Sequence, residues 1–121
     1  MQPGETLSVV DGLTARAVSQ IQALESSRLG PGSVARALAQ WKQTVHRRDV
    51  PALLDDIGSH ACPCCDPTEA REVLDQALTR LEPRARRELR AVVERLDDLF
   101  RDRTIHDPQA PPEWPWWRQR A

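Results

Sequence analysis

Downstream of Pro83, Ala85, Leu89, Val92, Leu96, Leu99 and Phe100 recur at helical spacings to about Thr104, the mark of an amphipathic helix with one buried face. A second stripe, Ala70, Val73, Leu74, Ala77 and Leu81, ends only one residue before Pro83. So short a connection between two amphipathic helices predicts an antiparallel αα-hairpin. Nowhere do apolar and polar residues alternate as in a half-buried strand, and no segment repeats at a fixed period. The expected fold class is all-α: a small bundle of about five helices.

Three further helices are expected upstream. The first spans about Glu5 to Arg28, with Leu7, Val10, Leu13, Ala17, Ile21 and Leu24 along one side, and Gly30-Pro31-Gly32 stops it. The second follows Ser33, a good N-cap, with Val34, Leu38, Trp41 and Val45 as a stripe. Trp41 at that spacing reads as a core anchor. A short third helix runs from Val50 to Ile57, capped by Asp49 and closed by Gly58. The fourth starts at Asp66-Pro67-Thr68-Glu69, an acidic cap with proline in the first turn. The 121 residues suffice for one core. Residues 1–104 are expected to form the bundle and 105–121 an extended tail.

Charge excludes some functions. The formal net charge is −1, with six basic and six acidic residues in 1–60 and eleven and twelve in 61–121. No global basic footprint for nucleic acid or an anionic membrane exists. Sixteen arginines, one lysine and no asparagine or tyrosine follow codon composition and point to a GC-rich, bacterial genome. The arginines therefore argue little for phosphate binding. No secretory signal is visible, and no apolar run approaches the ~20 residues that span a bilayer. A cytoplasmic location is expected.

The stretch Ser59-His60-Ala61-Cys62-Pro63-Cys64-Cys65-Asp66 holds all three cysteines. In a reducing compartment an odd, tight cluster suits ligands or reactive thiols better than a disulfide framework. The C-x-x-C frame lets two thiolates grip one ion, and tetrahedral zinc needs four such ligands. One tight loop rarely supplies all four. If the last two helices are antiparallel, His106 returns near the loop, which gives a candidate zinc set of His60, Cys62, Cys65 and His106, with Cys64 as substitute. Two other readings stay open. Cys65 near a helix N-terminus could act as a thiol switch with Cys62, although Asp66 and Glu69 oppose its ionisation. The cysteines could also simply pack as small apolar groups.

The tail carries Trp114, Trp116, Trp117 and Arg118 behind Pro108, Pro111, Pro112 and Pro115. The prolines forbid a helix and favour an extended path. Tryptophan and arginine are enriched at binding hot spots, so the tail is either a docking peptide for a protein partner or a cover for a groove of its own bundle. Arg84, Arg86, Arg87 and Arg90 open the last helix, interrupted by Glu82 and Glu88, and read as a solvated, salt-bridged face. Asp97-Asp98 reads as surface solubility. No phosphate loop, nucleophile elbow or HExxH frame is present, so no enzymatic motif is found. The expectation is a non-enzymatic helical binding or scaffold protein, with a structural zinc and a homodimer both compatible with the pattern. The alternative is a metal- or thiol-responsive regulator that uses the cysteines as a sensor.

Overall fold

The computed structural model describes residues 13–47, 50, 51 and 67–121. Four α-helices lie among them: α1 (Ala15–Leu24), α2 (Ser33–Val45), α3 (Pro67–Arg80) and α4 (Pro83–Asp102). These residues form no strand, only an isolated antiparallel bridge between His106 and Arg120. The protein is all-α. Of the short helix expected over 50–57, only Val50 and Pro51 are described, and both are helical.

The expected first helix does not run unbroken from Glu5. Thr14 is extended, at φ −75 and ψ 160, and its hydroxyl accepts the Ala17 N–H, so the helix starts at Ala15. Glu88 of α4 fixes this start by accepting the Thr14 N–H at 2.8 Å and its hydroxyl at 3.0 Å. Residues 5–12 of the expected helix lie outside the described residues.

α1 widens into a π-helical turn over Glu25–Leu29 and stops at Gly30, whose φ of 92 and ψ of 141 suit only glycine. The cap of α2 differs from the expectation as well. Gly32, in the left-handed region, is the N-cap, and Ser33 lies inside the first turn with its hydroxyl unpaired among the described residues. The buried Glu25 carboxylate takes over: its Oε2 accepts the N–H groups of Val34 and Ala35 at 2.7 and 3.3 Å. A carboxylate is well suited there, because it meets both the open N–H groups and the positive end of the helix.

Burial follows the apolar stripes. Val34, Leu38, Trp41 and Val45 of α2 are buried, with Ala70, Leu74, Ala77, Leu78 and Leu81 from α3 and its C-terminal end. α2 packs chiefly on α3, and α1 on α4. Ala85, Leu89, Val92, Val93, Leu96 and Phe100 line the inner face of α4. Trp41 and Phe100, both fully buried, meet with ring centroids 4.8 Å apart. Each such side chain contributes about 1.5–3 kcal/mol by leaving water.

The tail does not take one extended path. Pro108 and Pro112 fall at the second positions of turns over Asp107–Ala110 and Pro111–Trp114, closed by the Ala110 and Trp114 N–H groups. The fixed φ of proline favours that position. Asp107 reinforces the first turn by accepting the Gln109 N–H at 2.9 Å. The chain then returns, and its end pairs with its start: Ile105 and Ala121 exchange N–H···O bonds at 2.9 and 2.8 Å, and the Asp107 N–H meets the Gln119 carbonyl at 2.7 Å.

Candidate functional site

The returning segment lies over the end of α4 and the first turns of α3. A 3₁₀ turn, Trp116–Arg118, turns Trp117 inward. Trp117 is 6% exposed, and its ring lies 4.4 Å from the guanidinium carbon of Arg71. Arg71 is itself buried on α3. Its Nε and Nη2 donate to the two oxygens of Asp97 on α4, each at 3.0 Å. The Trp41 indole N–H donates to Asp97 Oδ1 at 3.1 Å. One carboxylate therefore joins α2, α3 and α4, and the paired cation presents its face to the tail.

A second layer surrounds this centre. Trp116 is half-buried, with its ring 3.9 Å from the guanidinium carbon of Arg101 and 6.1 Å from the Phe100 centroid. Trp116 and Trp117 meet edge to face at 5.9 Å. Cation–π contacts of this kind strengthen as the cation loses water. Arg118 donates to Glu69 at 3.1 Å and Glu72 at 3.0 Å on α3. Arg120 donates to the carbonyls of Arg101 and Thr104 at 3.0 and 2.7 Å, so a tail arginine caps the C-terminal end of α4, where a cation is favoured.

Of the residues singled out from the sequence, His60, Cys62, Cys64 and Cys65 lie outside the described residues. His106 is exposed and bridged through its backbone to Arg120. Among the described residues, no three His, Cys, Asp or Glu side chains stand together as a metal site. Trp116, Trp117 and Arg118 are brought together on the bundle, whereas Trp114 remains 46% exposed.

Two members of the centre were misread or missed. Asp97 is not a surface carboxylate but 3% exposed. Asp98, its neighbour, is exposed and pairs with Arg101 at 3.3 Å. Arg71 was not singled out, yet Arg71, Leu74, Leu78 and Leu81 keep the core spacing, so a cation at that phase was the available signal. Glu25 gave no comparable sign, because its partners belong to the next helix.

Chemically the arrangement clamps. A charged pair in low dielectric is held by fork-shaped geometry and an indole donor, and the tail covers it. Among the described residues Trp117 Nε1 is buried without a hydrogen-bond acceptor, a cost of about 1–3 kcal/mol, and Arg71 Nη1 has no hydrogen bond but lies 3.9 Å from Asp75 Oδ1. No helix among the described residues is long and apolar enough to cross a membrane. No family model, curated protein or solved structure matches the chain.

Proposed function

We propose that this protein is a small non-enzymatic helical scaffold that works by binding a protein partner, with its tryptophan segment used for self-packing and only its outer edge for docking. One observation carries the reading: Trp117 and Arg118 are committed to Arg71, Glu69 and Glu72, while Trp114 on the same segment stays 46% exposed. A half-exposed tryptophan on a segment tied at both ends costs little entropy to dock. The test compares proteins retained from the cells that express the chain by wild type and by Trp114→Ala. A partner lost with Trp114→Ala, at unchanged thermal stability, supports the reading. An identical set of retained proteins contradicts it.

We also read the fold as a five-helix bundle in which α3 and α4 form an antiparallel hairpin. In support, Arg71 precedes the short connection at Leu81 and Glu82, Asp97 follows it, and their side chains meet.

A structural zinc held by His60, Cys62, Cys65 and His106, with Cys64 as substitute, is a second reading favoured by one relationship. The strip carrying His106 is bridged to Arg120, and Arg118 next to it is bonded to Glu69 and Glu72 in the first turns of α3. Cys65 precedes the first residue of α3 by two positions. Zinc would pin the segment before α3 to the tail and supply folding free energy directly. A metal- or thiol-responsive regulator would use the same residues. Elemental analysis of untagged protein purified without chelator, with a free-thiol count, separates these. Stoichiometric zinc with protected thiols supports the structural site; metal-free protein with three titrating thiols removes it.

A further inference from the structure

The outer face of α4 carries a charge pattern that its own helix satisfies only at Asp98, among the described residues, through Arg101 at 3.3 Å. Arg84, Arg87, Ala91, Glu94 and Asp98 are all exposed, and at about 100° per residue they fall within an arc of about 80°. Along this stripe like charges are neighbours: Arg84 with Arg87 at i,i+3, and Glu94 with Asp98 at i,i+4. Such pairs repel. The halves also oppose the helix dipole, which favours acids at the N-terminal end and bases at the C-terminal end; the first turn of α4 has no acidic residue.

Of the expected salt-bridged face, this stripe shows the Asp98–Arg101 pair but none at its basic half among the described residues. Arg84, Arg87 and Glu94 make no ion pair among the described residues. Glu88, four residues after Arg84, turns both its oxygens to Thr14 instead. A shallow open cleft lined by Arg84, Arg87, Glu88 and Ala91 lies over the basic half. Arg90 and Arg95 stand at the edges of the stripe, where they can turn to solvent.

We propose that this face binds a second copy of the chain, α4 against α4 in antiparallel orientation about a two-fold axis near Ala91. The pattern is self-complementary: basic, small, acidic in one direction and acidic, small, basic in the other. Antiparallel pairing sets Arg84 and Arg87 of one copy opposite Asp98 and Glu94 of the other, twice over. Ala91 at the crossing lets the helices approach. A two-fold interface requires such an isologous patch. The surface is polar and its attraction is screened by salt, so the dimer is weak and salt-sensitive.

Sedimentation equilibrium of the full chain tests this. At about 50 mM salt the mass is expected to rise with concentration from 13.7 kDa toward twice that value, and to fall back at about 1 M salt. R84E/R87E and E94R/D98R are each expected to stay monomeric at both salts. The combined variant R84E/R87E/E94R/D98R, self-complementary with reversed polarity, is expected to dimerise again. Circular dichroism controls for folding, and R84E/R87E is expected to melt no lower than wild type because it places acids at the positive end of α4. A wild type that stays monomeric at low salt overturns the proposal. So does self-association that the paired reversals leave intact, or that the combined variant does not restore.

Discussion

Arg71 and Asp97 meet in a two-point pair, Nε to Oδ1 and Nη2 to Oδ2, both at 3.0 Å, with the two side chains only 7% and 4% exposed. A pair so far from water is asymmetric in its energetics. Removing one partner strands a charge, whereas removing both can be nearly neutral. Asp97→Ala and Arg71→Met are therefore each expected to destabilise the fold by about 3–5 kcal/mol. The double replacement Arg71→Met with Asp97→Ala is expected to recover most of that loss. Urea titrations of the four proteins give the coupling; equal, additive losses would mean that the pair is not a unit.

Trp117 and Trp114 are three residues apart and should respond in opposite ways. Trp117→Ala opens a cavity beside Arg71 and is expected to cost about 3–5 kcal/mol. Trp114→Ala is expected to stay within about 0.5 kcal/mol, as at an exposed site. Thermal and urea unfolding of both variants checks this.

The cap that Glu25 supplies to α2 predicts a loss of about 1–2 kcal/mol for Glu25→Ala, the usual cost of a missing N-cap. Glu25→Gln, which keeps one acceptor oxygen, should lose less. Slower-than-expected amide exchange at Val34 and Ala35 in Glu25→Ala would contradict the assignment, because those two N–H groups are the ones the carboxylate holds.

These sites also show how far the sequence could be read. The stripes of α2, α3 and α4 were legible because burial follows a period of 3.6 residues: Val34, Leu38 and Trp41, or Leu89, Val92, Leu96 and Phe100, stand inward without knowledge of the rest. Polar residues that act between elements were not. Asp97 looks like Asp98 in the chain, and only the arrival of Arg71 and Trp41 makes it a core residue. Thr14 broke the expected first helix because Glu88, 74 residues away, holds its N–H and hydroxyl. The tail was ambiguous for the same reason: its prolines ruled out a helix, but what Trp117 covers depends on a cation three-dimensionally placed on α3.

Deletion of residues 111–121 removes Trp117, Arg118 and Arg120 together. It is expected to lower the unfolding midpoint and raise the exchange rates of amides in α3 and at the end of α4, where those side chains bind. A truncated chain as stable as the full one would mean that the tail rests on the bundle without supporting it.

The tail is a wall of the bundle and not a loosely attached strap: Trp117 is buried against Arg71, and Arg118 is bonded to Glu69 and Glu72. Native-state hydrogen exchange of the Ile105, Asp107 and Ala121 amides, which close the returning segment on itself, tests that most directly. If the tail belongs to the core, these amides open with a free energy close to that of the most protected amides of α3 and α4. Opening at a small fraction of that value, while α3 and α4 stay protected, would contradict it.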